Sequence, residues 1–324
     1  MGETHRDGLA DEGLAVYIDG VRAEAGPSAR ELGVAAMRAA AVRRAAVRPR
    51  GPEMVAVVDR TVPGEPEVPV RIYRPTTEPQ PLLIYFHGGG WTIGDLESHD
   101  RICRRLALAA EVAVLAVDYR RAPEHPWPAA VDDALTVLRW ARTEAPALVG
   151  SGHVGVAGDS AGGTIAALCC LRLRDSGEPQ PVVQVLVYPN ADLTFAQPSV
   201  RENATGWGLD SDDAIWFAEQ WVADPALRMN ARVSPLLEPN LAGLAPAIVV
   251  TAEHDPLRDE GNAYAAALSA VGVRVVHRVE IGQVHGFLGL DTVSGAAAAA
   301  ASRLAIDIRT AFSDREDWPH VLAP

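Results

Sequence analysis

Eight short apolar runs, rich in β-branched residues, recur along this chain, and most are separated by helical stretches. They are Glu53–Arg60, Val68–Arg74, Leu82–Phe86, Val112–Asp118, His153–Gly158, Val182–Tyr188, Ala247–Glu253 and Val273–Glu280. The first two read as paired strands joined through Pro63-Gly64. Most of the others are nearly all apolar, as strands must be when helices cover both faces of a parallel sheet. Stretches such as SHDRICRRLALAA and EGNAYAAALSAVG, between the runs, carry helical patterns. The alternation predicts an α/β fold: a mostly parallel eight-stranded sheet, flanked by helices and wound with right-handed crossovers.

Two segments stand outside the alternation. Residues 1–48 carry helical patterns that end at RPRGPE, and residues 195–235 include DSDDAIWFAEQWVAD, where Asp210 or Ser211 could cap a helix. Each segment is either an ordinary surface helix or a lid over the sheet's carboxyl edge. With 324 residues, 48% of them hydrophobic, the chain suits one large globular unit with an appended lid. The expected division is a helical cap over 1–48 and a catalytic domain over 49–324, the latter interrupted by a cap-like insertion at about 195–235. Helix is also expected for the alanine run Ala296–Ala301.

A formal charge of −13 would repel a phosphate backbone, so nucleic-acid binding is not expected. The three cysteines, Cys103, Cys169 and Cys170, cannot build a disulfide framework, and neither CxxC nor HExxH spacing occurs. No metal and no cofactor is therefore expected. The polar, acidic amino terminus does not read as a secretory signal, and Arg6 breaks the myristoylation pattern. No apolar run is long enough to insert stably in a membrane. The sequon at Asn203 is a chance match on this reading, and a cytoplasmic protein is expected.

Within VGVAGDSAGGTIAALCC (Val154–Cys170), Ser160 stands between Gly158 and Gly162 where a strand turns into a helix. Such a cramped turn holds a serine above the sheet and points a helix amino terminus at it. The alternative is a small residue at a tight corner. A serine hydroxyl is a weak nucleophile and needs a base within reach. His277 lies inside a strand, and His254 directly adjoins a candidate acid, too close for the two to orient each other easily. His285, in GQVHGFLG, follows the last strand with small neighbours that would let it reach the serine; a plain loop histidine is the competing reading. Asp255 leaves another strand just before Pro256 and is preferred to Glu253 as the orienting acid. The order Ser160, Asp255, His285 is that of the α/β-hydrolase fold.

Acyl transfer also needs donors for a developing oxyanion. YFHGGGWTIG follows the third strand, and its glycines can turn peptide N–H groups inward. Gly88, Gly89 and Ala161 are the expected donors, with His87 bracing the loop. A plain glycine turn is the alternative.

Together, HGGGW (87–91), YRRAPEHPWPAAVDD (119–133), GDSAGG (158–163), DPLRDEG (255–261) and HGF (285–287) resemble the bacterial hormone-sensitive-lipase-like esterases of the α/β-hydrolase superfamily. The resemblance covers roughly residues 50–290. It implies a serine carboxylesterase acting on short-to-medium acyl esters, with an amino-terminal helical cap. Ser160 would be nucleophile, His285 base, Asp255 orienting acid, and Gly88, Gly89 and Ala161 oxyanion donors. His254 and Asn190 stand where the family suggests an aromatic and an aliphatic residue. Trp91, Trp207, Trp216, Phe217 and Trp221 are candidates for an acyl pocket, against ordinary core packing. The partner is expected to be a small-molecule ester substrate, and a homodimer could pair through the last strand or the helix after it. An amidase, acyltransferase or lyase would share the serine chemistry. A receptor without catalysis should lack a member of the trio.

Overall fold

The computed structural model of the chain describes residues 8–24 and 26–313. Eight strands among them, β1 (Ala56–Val62), β2 (Val68–Arg74), β3 (Leu82–Phe86), β4 (Ala113–Val117), β5 (Val154–Asp159), β6 (Gln184–Val187), β7 (Ala247–His254) and β8 (Val275–Val284), match the eight apolar runs in number and place. They form one sheet in the order β1-β2-β4-β3-β5-β6-β7-β8. The pairs β1–β2 and β2–β4 are antiparallel, and the remainder are parallel. β1 starts later than expected because its pairing with β2 continues to Val62, directly before the Pro63-Gly64 turn. β8 runs past Glu280 because pairing with β7 resumes after a register shift, as far as His254 opposite Val284. His285 is thus the first residue beyond the strand.

Among the described residues ten α-helices accompany the sheet: α1 (Glu12–Ala23), α2 (Ala29–Val47), α3 (Asp100–Ala110), α4 (Ala129–Val149), α5 (Ala161–Asp175), α6 (Ser199–Glu202), α7 (Ser211–Trp221), α8 (Pro225–Arg228), α9 (Arg258–Ala270) and α10 (Gly295–Ser313). The all-apolar strands have the reason expected of them. In β3, Leu82, Ile84 and Phe86 join one core with α4 and α5, while Leu83 and Tyr85 join a second core with α3 and α10. Each fully buried aliphatic side chain contributes roughly 1.5–3 kcal/mol. Cys103, Cys169 and Cys170 are buried and free. Burial pushes the Cys169 thiol up to about 12, so it stays protonated at neutral pH.

The amino-terminal helices are tied at several points. Asp11 caps α1 by accepting from the Leu14 N–H at 2.8 Å, and its other oxygen accepts from Ala296 N–H and Ser294 Oγ at the start of α10. Leu14 and Ile18 bury beside α10. α2 begins with a capping box, Ser28 with Glu31, and breaks its helical geometry at Gly33. Its first N–H, from Ala29, donates to Asp213 of α7 at 2.8 Å. Asp210 sits at the N-cap of α7 but accepts from Gly206, while the Ser211 hydroxyl donates to the Val200 carbonyl. No described helix is long and apolar enough to cross a membrane.

Candidate active site

Sequence dictates the corner at Ser160 through what cannot fit there. A Cβ on Gly158 would come within 2.2 Å of the Gly162 backbone, and one on Gly162 within 2.0 Å of the Phe86 carbonyl oxygen. Both positions must be glycine for β5 to turn this sharply into α5. Ser160 itself is held at φ 53°, ψ −123°, a conformation costing about 1–3 kcal/mol that the surrounding packing sustains. The Ser160 N–H donates to the Val187 carbonyl of neighbouring β6 at 2.8 Å, which pins the turn to the sheet.

Three loops then converge. Ser160 Oγ lies 3.0 Å from His285 Nε2, and His285 Nδ1 lies 2.8 Å from Asp255 Oδ2. Asp255 is fully buried, and its second oxygen accepts from the Leu257 N–H at 2.8 Å. With a carboxylate at Nδ1, the neutral imidazole carries its proton there and leaves Nε2 free to accept from the serine. The Tyr188 ring packs tilted against His285 at 4.7 Å. The rival residues are engaged elsewhere. Glu253 accepts from the Gly282 N–H, His254 stacks on Trp207, and His277 contacts Asn262.

Gly88 requires a correction. Its N–H donates to Asp159 Oδ1 at 2.9 Å, and it is therefore not available to an oxyanion. No hydrogen bond within the described residues engages the N–H groups of Gly89, Gly90 or Ala161, so the free donors lie one glycine further along the loop. Asp159 is what holds the loop. It also accepts from the Tyr85 hydroxyl at 2.7 Å, and His99 Nε2 stands 3.5 Å away. Burial alone would push this carboxyl up, but His99 and the hydrogen bond from Tyr85 outweigh it and hold it below the usual carboxylate range. His87 braces the other side. Burial drives its pKa down to about 3, so the ring is neutral and its Nδ1 donates to the Gly88 carbonyl at 2.8 Å. Tyr119 stacks on that ring at 4.3 Å and donates to the His87 carbonyl.

A cavity of about 150 Å³ adjoins this loop. Gly88, Gly89, Tyr188 and Gly286 line it from the sheet edge, and Arg44 of α2 and Arg48, just after α2, line it from the other side. The five aromatic candidates do not line this cavity. Trp91 and Trp221 are buried and stack on each other at 4.2 Å within the core. Trp216 and Phe217 pack against α2 and Ile93, and Phe217 fills the space where a Cβ of Gly90 would be. Trp207 lies between His254 and the Arg22 guanidinium. The reason is physical: an aromatic on an amphipathic helix is satisfied by any apolar neighbour, and here the neighbours are protein.

Asp159, Gly90, Arg44 and Arg48 were not singled out by sequence reasoning. Asp159 carried a usable signal, an acid at the end of an otherwise apolar strand. The two arginines carried none, because their place over the loop depends on how α2 docks.

The family described as the alpha/beta hydrolase fold matches residues 83–289. The chain is 44% identical to the carboxylic ester hydrolase LipN of Mycobacterium tuberculosis over 276 residues, which cover 81% of this chain and 73% of that protein. It is 42% identical to the carboxylesterase NlhH of the same species over 255 residues, covering 76% and 80%. Among solved structures, an ester hydrolase from the metagenome of Lake Arreo superposes with a TM-score of 0.88 at 35% identity. The match covers 93% of this chain and 99% of that one.

Proposed function

The chain belongs to the hormone-sensitive-lipase-like branch of the α/β-hydrolase family and is a carboxylic ester hydrolase, and we propose that Ser160, His285 and Asp255 carry its reaction. The observation behind this reading is the contact chain Ser160 Oγ–His285 Nε2–Asp255, beside N–H groups without a protein partner.

In the first half-reaction His285 Nε2 takes the hydroxyl proton as Ser160 Oγ attacks the ester carbonyl carbon. The carbonyl electrons move onto oxygen, where the N–H groups of Gly89, Gly90 and Ala161 receive the charge. The intermediate collapses, the C–O bond breaks, and His285 returns the proton to the departing alcohol. Water then adds to the acyl-enzyme by the same path, His285 again taking and returning a proton, and releases the carboxylic acid and free serine. Asp255 remains ionised throughout, fixing the imidazole tautomer and stabilising the imidazolium. Each helical N–H at the start of α5 adds to the positive potential around the nucleophile.

The cavity beside the glycine loop receives one arm of the ester, and its size suits a short one, since such a volume holds roughly six carbon atoms. Hydrolysis of chromogenic esters from acetyl to dodecanoyl, by wild type and Ser160→Ala side by side, tests both points. The expected result is a wild-type optimum at about six carbons or fewer. The variant should lose roughly 10³- to 10⁶-fold in kcat/KM while keeping its fold. Equal rates in the two proteins would remove Ser160 from the mechanism.

A further inference from the structure

Arg44, in the last turn of α2, and Arg48, the residue just after it, line the cavity beside the glycine loop, and among the described residues neither is paired with a carboxylate. Arg48 reaches only the Ser98 carbonyl, at 3.4 Å, and lies close enough to Gly289 that a Cβ there would touch its guanidinium. Arg44 has no hydrogen bond within the described residues. Both remain exposed enough to meet an incoming molecule.

Several arginines around them are paired. Arg38 pairs with Glu124, Arg71 with Asp59 and Glu97, Arg101 with Asp291, and Arg104 with Asp100. In a chain of net charge −13, carboxylates are plentiful, yet among the described residues these two guanidiniums, which share a cavity with Gly89 of the glycine loop and with Gly286, the neighbour of His285, are left without one. The carboxylate that does line the cavity, Asp159, is already engaged by the Gly88 N–H, Tyr85 and His99. The cavity also shares Ala45, Arg48 and Ser98 with a groove of about 560 Å³ on the surface. The acids on that groove's walls, Asp59, Glu97 and Asp100, are held by Arg71 and Arg104. The approach therefore offers cationic donors without a carboxylate partner among the described residues, and acids that are already paired.

We propose that the preferred substrate is an ester that carries a free carboxylate, received by Arg44 and Arg48 beside the glycine loop. The proposal rests on the serine-esterase reading above and names its substrate class. A guanidinium presents a planar fork of donors that matches a carboxylate in two parallel hydrogen bonds, stronger and more directional than contacts to a neutral chain. Two such groups select for an anion even where the cavity's apolar walls would accept either arm. The negative surface elsewhere slows the approach of anions, so the selection is made at the cavity and not by long-range steering.

The test measures kcat/KM by pH-stat for matched pairs of esters. Ethyl hydrogen glutarate against ethyl 5-methylhexanoate places the carboxylate on the acyl side. A 4-butyryloxybutanoate against its neutral 4-methylpentyl counterpart places it on the alcohol side. In at least one pair the anionic ester is expected to lead by about tenfold or more. That lead should shrink towards one in Arg44→Gln/Arg48→Gln and be partly kept in Arg44→Lys/Arg48→Lys, which preserves the charge and loses the fork. Added salt should also reduce it. The pair that responds identifies the arm that enters the cavity. A neutral preference in both pairs, or a lead that the glutamine variant leaves unchanged, overturns the proposal while the esterase reading stands. Failure of every ester, charged or neutral, would instead bring down the esterase reading itself.

Discussion

Two helices border the site, and they are built in opposite ways. α5, which begins one residue after the nucleophile, buries twelve of its fifteen residues. α2, which lines the cavity with Arg44 and leads into Arg48, has nineteen residues, and among the described residues only Ala29 is fully buried. The first helix is fixed by contact on every side, so its position is set to fractions of an ångström, as donor geometry at an oxyanion requires. The second is held by a few polar ties, among them Ala29 to Asp213 and Arg38 to Glu124 and two carbonyls. Side chains on α2 can change without opening a hole in the core. On the proposals above, the division places chemistry on the rigid element and substrate choice on the adaptable one.

The contrast is open to attack, most forcefully at the corner. Gly162→Ala would push a Cβ to within 2.0 Å of the Phe86 carbonyl oxygen, where only backbone can give way. We expect a loss of roughly 3 kcal/mol or more, a fall in Tm of about 4 °C or more, and loss of esterase turnover. A variant that melts like wild type would mean the corner is not rigid. Differential scanning calorimetry reads the outcome directly.

The next effect in size concerns acid stability on the sheet side. Burial keeps His87 neutral in the folded protein down to about pH 3, whereas the unfolded chain takes up a proton near pH 6.5. Between those values the unfolded state binds more protons, so stability rises with pH there. The contribution is complete above pH 6.5 and is lost progressively as pH falls towards 3, by up to a few kcal/mol. Urea unfolding of His87→Gln should show a flatter pH slope in that window. An unchanged slope would place the acid sensitivity elsewhere.

The smallest effect belongs to α2. Arg30 of α2 pairs with Glu219 of α7 on the surface. Arg30→Ala should cost less than about 1 kcal/mol, less than about 2 °C in Tm, with turnover of neutral esters kept. A loss comparable to that of Gly162→Ala would show that α2 is as tightly integrated as α5, and the contrast would fail.

The pattern of legibility follows the same division. The eight strands could be read because a strand buried on both faces must be apolar throughout, a local signature. Ser160, Asp255 and His285 could be placed because each follows the end of a different strand, and the sheet brings strand ends together. The Gly88 error has a definite cause. Which glycine of a run donates freely depends on Asp159, a partner 71 residues away in sequence, and three consecutive glycines look alike locally. The aromatic candidates are a related case. Hydrophobicity says that Trp91 and Trp221 avoid water, and only the packing says that each does so against the other. The arginines of α2 were invisible because a charged side chain on a polar helix gives no sign of what lies beneath it.

Asp11 joins two moments as well as two helices. One oxygen caps α1, and the other holds Ser294 and Ala296 at the start of α10, 285 residues further along the chain. At translation speeds of 5–20 residues per second, that separation corresponds to roughly 15–60 seconds. α1 is therefore made well before the segment that completes its mooring, and until residues 294–296 are synthesised only the local half of the Asp11 contact, to Leu14, can form.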